Sequence, residues 1–231
     1  MDSMYEILME LPMFRGVSLA KLTEIVEHVK LHFLKLMDGQ TIVEAGNPCT
    51  QLSFIISGSV RSTVATADER FKVSQTLTAP GVIAPDFLFG RATSFPCTAK
   101  AIGTVSLLQI TKQDFISILK SADIFLFNYI NYVSMNAQKA IQGVLAVAAG
   151  SLEERIAFWI IALTQPSGTD ITLTCRQRDL YALFGVQRSS FIATLDRMKE
   201  QGLIDYTSGE IIIKSRRELL GVLTNHSECA T

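Results

Sequence analysis

Three consecutive residues, Arg188, Ser189 and Ser190, carry side chains that can read the edges of nucleic-acid bases. An arginine guanidinium donates two parallel hydrogen bonds to guanine O6 and N7 in the major groove, and such a contact is worth on the order of 1–3 kcal/mol of discrimination against the wrong base. Arg188 stands at the start of a predicted helix, where the recognition helix of a DNA-binding motif meets base edges. We therefore predict that Arg188 reads bases.

Polar residues on either side extend this predicted contact surface. Thr174 and Gln177 have the spacing of a capping box, which predicts that a first helix starts there and holds Arg176 and Gln177 near the DNA backbone. Ala193 and Asp196 follow on the outward face of the second helix. The residues predicted to contact DNA are Arg176, Gln177, Gln187, Arg188, Ser189, Ser190, Ala193 and Arg197.

Two short helical patterns position these side chains. Apolar residues recur at helical spacing before and after a Gly185-Val186 turn, which predicts a helix-turn-helix. The apolar positions are Leu180, Leu183 and Phe184 in the first helix and Phe191, Leu195 and Met198 in the second. Any two-helix corner with a glycine between its helices gives this bare pattern. A strand from Leu203 to Tyr206, a Ser208-Gly209 turn and a strand from Ile211 to Lys214 follow directly, so we predict a winged helix.

Charge separates this module from the rest of the chain. From Thr174 to Arg217 there are eight Lys or Arg against five Asp or Glu, although the net charge of the whole chain is −1. A basic terminal module on an acidic body is the distribution expected if only that module meets phosphate. The excess is small, so it supports DNA binding without proving it.

Composition and length set the broad class of the protein. The chain has 231 residues, of which 48% are hydrophobic and 19% are charged, as is typical of one or two globular domains. It has no apolar run of about 18 residues, and its acidic start lacks the positive charge of a signal peptide. We therefore predict a cytoplasmic protein that does not enter a membrane.

The cysteines and histidines do not predict a metal site. The four cysteines are widely separated, which favours buried or idle thiols; they are Cys49, Cys97, Cys175 and Cys229. His28 and His32 are four residues apart on an early predicted helix, but without a third ligand a solvated helix face is favoured over a shared metal. The strands that follow contain no histidine, so a metal-dependent β-barrel enzyme is set aside. We predict no catalytic residues.

The first half of the chain is predicted to be rich in short strands. Turn residues divide the segment from Lys35 to Ile110 into runs typical of a small antiparallel barrel or double-sheet roll. The runs include Thr41–Val43, Leu52–Ile56, Ser59–Val64 and Val105–Ile110. Flanking helices are predicted at Ser3–Phe14, Leu19–Phe33 and Thr111–Ser121. The fold class is therefore α+β, with an amino-terminal β-roll.

The longest helical pattern runs from about Ile124 to Ala149. Its apolar residues alternate at spacings of four and three, as in a coiled-coil seam, which favours a parallel homodimer; a helix buried in its own domain gives the same pattern. The seam is Leu126, Ile130, Val133, Ala137, Ala140, Val144 and Val147. Gly150 ends this helix, and Ser151 and Glu154 form a capping box for the next. We predict a roll domain over 1–122, a dimerisation helix over 123–150 and a winged helix over 151–231.

Several short motifs resemble those of the Crp–Fnr family, the bacterial transcription factors related to the cyclic-AMP receptor protein and the fumarate–nitrate regulator. In the first half they are Asp38-Gly39-Gln40 with Glu44-Ala45-Gly46, Ile56 to Val60, and Leu107 to Phe115. In the second half they are Arg176 to Leu180, Gly185 to Ser189, and Leu195 to Ile204. The resemblance implies a double-stranded β-roll like a cyclic-nucleotide-binding domain, and a homodimer that presents two recognition helices to a pseudo-palindromic site on double-stranded DNA. It also implies RNA polymerase and an unknown small-molecule effector as partners.

The predicted effector segment departs from the family pattern. Family members that bind cyclic AMP hold the ribose with a Gly-Glu pair and the phosphate with an Arg followed by Ser or Thr. Here Ala84-Pro85 and Phe95-Pro96 stand at those places. Without the cation, the phosphate of the nucleotide would be left unpaired in a low-dielectric pocket. We therefore predict that cyclic AMP does not bind through the contacts usual in the family.

Other residues of this segment leave the effector open. Asp86, Arg91 and Lys100 are candidate effector-binding residues, although a solvent-facing role is favoured for the two cations. The segment is markedly apolar, with Phe87 and Phe89, which is compatible with haem or another apolar effector; an ordinary roll core explains the same residues and is favoured. No cofactor is identified. The amino-terminal cysteine cluster of the oxygen-sensing branch is absent from the sequence.

The recognition helix departs from the family too. Ser189 and Ala193 stand where relatives often carry Glu and a second Arg, so we expect a different operator sequence. Gln187 stands where a Ser cap is common, which weakens the prediction of the helix start. The alternative hypothesis is a ligand-sensing module that acts through protein partners without sequence-specific DNA binding.

Overall fold

The computed structural model describes residues 2–146 and 150–224. These residues form two compact units. The first comprises Met1–Ser62 and Leu77–Asn136, and the second comprises Thr63–Thr76 and Ala137–Thr231. The predicted division into a roll domain, a dimerisation helix and a winged helix, with boundaries near residues 122 and 150, stays a prediction.

The first unit is an antiparallel β-roll with helices at both ends. Its helices are α1 (Asp2–Glu10), α2 (Leu19–His28), α3 (Lys112–Ser121) and the first half of α4 (Asp123–Ala146). Its strands are β1 (His32–Leu36), β2 (Thr41–Val43), most of β3 (Gln51–Ala65), the end of β4 (Phe71–Thr78), β5 (Gly81–Ile83) and β6 (Thr98–Thr111). β6 pairs with β1 and β2, and β3 pairs with β5. The predicted α+β class with a β-roll is confirmed.

The core of the first unit lies between the strands and the helices. Phe14 packs edge-to-face against both Phe54 of β3 and Phe125 of α4, with ring centroids 5.8 and 5.6 Å apart. All three side chains are fully buried. Such aromatic pairs add to the stabilisation from area burial.

Two predictions for the start of the chain are wrong in their bounds. The first helix ends at Glu10 and not at Phe14, and the helix predicted over Leu19–Phe33 ends at His28. The next residue, Val29, is extended, and the chain enters β1, where hydrogen bonding to β6 overrides the helical spacing. His28 and His32 therefore do not share a helix face. Leu52–Ile56 and Ser59–Val64 belong to one strand, β3, which continues through Gly58 at a φ of +87°.

The second unit is a winged helix with an added strand. Its elements are α5 (Leu152–Leu163), β7 (Thr169–Cys175), α6 (Gln177–Leu183), α7 (Arg188–Glu200), β8 (Ile204–Tyr206), β9 (Glu210–Ile213) and α8 (Arg216–Thr224). β8 and β9 form the predicted wing, and β9 pairs with β7. β4 then pairs with the other edge of β7, so the sheet order is β4-β7-β9-β8. The predicted helix-turn-helix and wing are confirmed.

The added strand contributes to the core of the second unit. Val73 of β4 is buried in the same cluster as Ile171, Leu195 and Met198. Phe71 lies against Trp159, with ring centroids 5.1 Å apart. The β4 strand therefore packs as an integral part of this unit.

In the second unit, the predicted start of α5 is confirmed and the predicted cap of α6 is wrong. Ser151 and Glu154 form the predicted capping box at the start of α5. Thr174 does not cap α6, because it is part of β7 and pairs with Glu210; the capping position falls on Arg176. Leu183 is also wrong as a core residue, since it is 50% exposed.

Candidate nucleic-acid interface

The turn between α6 and α7 is fixed from within the second unit. Gly185 adopts a φ of +64°, in the left-handed region that glycine reaches without a side-chain clash. Arg155 of α5 donates from Nη2 to the Phe184 carbonyl at 2.6 Å, and its guanidinium lies over the Phe184 ring. Phe184 stacks on Phe191 of α7. The angle between α6 and α7 is therefore held by buried aromatic contacts and by one arginine that the sequence analysis did not single out.

The α7 helix has one buried side and one outward side. Phe191, Thr194, Leu195 and Met198 are buried, as the sequence predicted for the three apolar ones. Arg188, Ser189, Ala193 and Asp196 are exposed on the opposite side, with Ile192 half-buried beside them. These five residues line a shallow hollow of about 560 Å³, which we call the α7 groove face. Arg188 and Ala193 therefore share one accessible surface, as predicted.

The first turn of α7 leaves its backbone donors available. Gln187 is the capping residue, but its side chain makes no capping hydrogen bond. The first N–H groups of a helix lack partners within the helix, and their partial positive charge favours an anion such as a DNA phosphate. Arg188, Ser189 and Ser190 are all exposed in this turn.

The far end of α7 is tied to the wing. Tyr206 of β8 donates its hydroxyl to Asp196, and this hydrogen bond raises the pKa of Tyr206 to about 12. Tyr206 therefore stays protonated, and remains a donor, throughout the neutral range. Lys199 makes an ion pair with Asp205 at 2.7 Å, which lowers the pKa of that carboxyl. The sequence predicted the wing but gave no signal for the contact between Tyr206 and Asp196.

The remaining predicted DNA contacts lie at the edges of the α7 groove face. Arg176 and Arg197 are exposed. Gln177 is half-buried and donates from Nε2 to the Thr207 carbonyl in the wing turn at 3.0 Å. That contact joins α6 to the wing and uses one of the two N–H donors of the Gln177 amide, so the other can reach a phosphate.

The α4 helix carries an exposed apolar row. We use the name α4 row for Leu126, Phe127, Ile130, Ile141 and Leu145, which are 40, 62, 46, 61 and 64% exposed. Of the seven residues of the predicted seam, Leu126, Ile130, Ala137 and Ala140 are exposed, whereas Val133 is half-buried and packs against the core of the first unit. The side chain of Val144 and the whole of Val147 lie outside the described residues. Large exposed apolar side chains in a row are typical of a surface that contacts another molecule.

The segment predicted to hold an effector is closed by its own chain. Ala84 has a φ of +43°, and the Tyr129 hydroxyl of α4 donates to the Pro85 carbonyl at 3.0 Å. Asp86 accepts two hydrogen bonds from the Asn136 amide, at 3.1 and 2.9 Å. The carboxylate predicted to bind an effector is therefore engaged with α4.

A buried phenylalanine stands at the place where relatives that bind cyclic AMP carry the phosphate-binding arginine. Phe95 is buried in the core of the first unit. Arg91 and Lys100, the other candidate effector residues, are exposed. The structure thus supplies no buried cation from these three residues for a phosphate group.

Cysteine and metal chemistry are not evident in the described part of the chain. Cys49, Cys97 and Cys175 are buried free thiols, and burial raises the pKa of each, to about 12 for Cys175. Cys229 lies outside the described residues. Within residues 2–146 and 150–224, no three His, Cys, Asp or Glu side chains gather as a metal site, and no helix is both long and apolar enough to cross a membrane.

Comparison with known proteins agrees with this arrangement. A family model described as a cyclic nucleotide-binding domain matches residues 33–122, and one described as a Crp-like helix-turn-helix domain matches residues 154–222. The crystal structure of the sensor domain of the transcriptional regulator DNR from Pseudomonas aeruginosa is 17% identical over 61% of this chain and 92% of its own, with a TM-score of 0.53. Catabolite activator protein from Thermus thermophilus is 14% identical over 93% of this chain and 99% of its own (TM-score 0.48). FixK2 from Bradyrhizobium japonicum is 15% identical over 84% of this chain and 97% of its own (TM-score 0.46). The comparison with curated proteins gives no match.

A β-roll that matches the cyclic nucleotide-binding domain, followed by a Crp-like helix-turn-helix domain, defines a DNA-binding regulator. The two family models together match more than two thirds of the 231 residues. The chain belongs to the Crp–Fnr family of transcription regulators. It is a DNA-binding protein and not an enzyme.

Proposed function

We propose that two copies of this chain pair along the α4 row and bind a pseudo-palindromic operator, with one α7 helix in the major groove of each half-site. The observation that carries the proposal is the α7 groove face, where Arg188 is exposed in the first turn of the helix and lines one surface with Ser189 and Ala193. The α4 row supports the dimer, because five large apolar side chains would otherwise remain in water. The regulator would act in the cytoplasm, with RNA polymerase as a further partner.

The test of this proposal is selection from random duplexes, followed by a salt titration of the recovered site. We expect a two-fold symmetric site with half-sites about one DNA turn apart. Affinity should fall by roughly 10³–10⁵ between 50 and 200 mM salt if the dimer neutralises six to ten phosphates. A module that acts only through protein partners would enrich no site and would show no salt-dependent shift of a duplex.

We also propose that cyclic AMP is not the effector, at least through the contacts usual in the family. The buried Phe95 stands where a phosphate-pairing arginine would be required, and the Pro85 carbonyl and the Asp86 carboxylate already accept hydrogen bonds from Tyr129 and Asn136. An unpaired phosphate at a buried apolar position would be costly.

Isothermal titration tests this proposal directly. We expect no saturable heat with micromolar cyclic AMP, because Phe95 stands at the place of the phosphate-pairing arginine and both Arg91 and Lys100 are exposed. The same protein preparation should shift its operator, which shows that the sample is folded and active. Saturation at micromolar nucleotide would contradict the proposal.

A further inference from the structure

We propose that Asp196 is a second base-reading residue of α7, which accepts a hydrogen bond from the 4-amino group of a cytosine and is oriented for that contact by Tyr206 of the wing. This inference rests on the proposed function, since it needs α7 in the major groove. The sequence places Asp196 on the outward face of α7 but assigns it no contact, and the inference gives this carboxylate a base to read.

The position of Asp196 on the helix is the first step. Ser189, Ile192, Ala193 and Asp196 follow one another at intervals of three, one and three residues, all on the α7 groove face. Homeodomains contact DNA from their recognition helix at residues with the same spacing. At 1.5 Å of rise per residue, Asp196 lies about 12 Å along the helix from Arg188, which is between three and four base pairs of duplex.

The orientation of the carboxylate is the second step. An exposed aspartate usually samples several rotamers, but the Tyr206 hydroxyl donates to Oδ1 of Asp196 and restricts it. A carboxylate has about four acceptor sites, so one contact with Tyr206 leaves capacity for a base. Tyr206 is itself held at the wing, where Lys199 lies over its ring at 5.8 Å and makes an ion pair with Asp205.

The chemistry of the partner is the third step. A carboxylate cannot approach a phosphate without repulsion, whereas aspartate accepts from the 4-amino group of cytosine in the major groove. The α7 groove face then presents a donor fork at Arg188, small and apolar groups at Ile192 and Ala193, and an acceptor at Asp196. In base terms this order fits a guanine, a thymine methyl group and a cytosine within one half-site.

The experiment is selection of operators with the full-length protein and four variants. Asp196→Ala should lose the cytosine preference at one position of each half-site, by on the order of tenfold. Asp196→Asn should shift that position toward adenine, because an amide pairs with adenine N6 and N7. Tyr206→Phe should weaken the cytosine preference at the same position without moving it.

The matched control is Glu200→Ala, which removes one negative charge from the exposed end of the same helix. It should leave the selected sequence unchanged, so any uniform gain in affinity from lost repulsion appears in both alanine variants. A second measurement uses an operator whose cytosine is replaced by an analogue without the 4-amino group. The unaltered protein should lose about tenfold in affinity for it, and Asp196→Ala should lose nothing further.

Two outcomes separate the inference from the proposed function. If the unaltered protein enriches a site but the Asp196 variants enrich the same one, Asp196 does not read a base and only this inference fails. If the unaltered protein enriches no site at all, the proposed function fails and the inference fails with it.

Discussion

Replacing Ile130 by glutamate should convert the protein from a dimer into a monomer. Ile130 is nearly half-exposed and lies between Phe127 and Ile141 in the α4 row. In a symmetric pair each substitution occurs twice, so two carboxylates would be buried side by side against apolar surface. Burying an unpaired charge costs several kcal/mol, more than such a short helical seam supplies. Light scattering after size exclusion should give a mass near 25.4 kDa instead of twice that value.

A variant that no longer dimerises should also bind the operator much more weakly. A monomer presents one recognition helix, and the avidity of two linked sites typically exceeds single-site affinity by roughly 10²–10⁴. The control is Met135→Glu, which adds the same charge at an exposed position on the flank of α4, about 140° around the helix from Ile130. That variant should remain dimeric and should bind as before. If Ile130→Glu also remained a dimer, the α4 row would not be the interface.

The helix-turn-helix was predictable because its signals are local. Phe191, Leu195 and Met198 repeat at helical spacing and are all buried. The Ser151–Glu154 capping box needs only residues three apart, and the structure contains it. The predicted cap at Thr174 is wrong because of a contact with a distant strand. Thr174 has the spacing of a capping residue, but its backbone pairs with Glu210, thirty-six positions along the chain. Because Thr174 is held in this strand pair, α6 begins after Arg176, two residues later than the spacing predicts.

The strand that joins the second unit could not be predicted for the same reason. The run from Phe71 to Thr78 has apolar residues at alternate positions only at Phe71, Val73 and Leu77, because Gln75 interrupts the alternation, and no strand is predicted there. Its pairing with β7 closes a loop of about a hundred residues, and no pattern within a short window reports such a contact. Gln75 shows what was missed, since this buried side chain accepts a hydrogen bond from the Gln165 backbone at 2.8 Å.

In the candidate site, too, features set by local spacing were predictable, whereas contacts between distant residues were not. Exposure of Ser189 and Ala193 follows from the helical period once the buried stripe is known, and exposure of Arg188 follows from its place in the first turn. The contact of Tyr206 with Asp196 depends on how the wing folds back on α7, and the engagement of Asp86 by Asn136 depends on how α4 packs on the roll. Such contacts join residues ten and fifty positions apart, which spacing alone does not bring together.

Replacing Arg188 by alanine should remove most of the sequence preference while leaving the dimer intact. The guanidinium is exposed at the start of α7, so its removal leaves no cavity and should not unfold the helix. Loss of a bidentate contact with guanine costs about 1–3 kcal/mol in each half-site, which is about tenfold to a hundredfold, and the two half-sites act together. The measurement is the ratio of affinities for the selected operator and a scrambled duplex at one ionic strength. That ratio should fall by this factor for each half-site, and the part that remains should come from the other side chains of the α7 groove face.

Two further variants distinguish base reading from charge. Arg188→Lys keeps the positive charge but loses the planar fork, so we expect it to lose most of the discrimination as well. Arg176→Ala removes an exposed cation at the start of α6, where a phosphate contact is predicted. It should weaken binding to both duplexes equally and lower the salt slope by about one. If Arg188→Ala behaved like Arg176→Ala, with an unchanged ratio and a reduced salt slope, then Arg188 would contact the backbone and specificity would have to arise elsewhere on the α7 groove face.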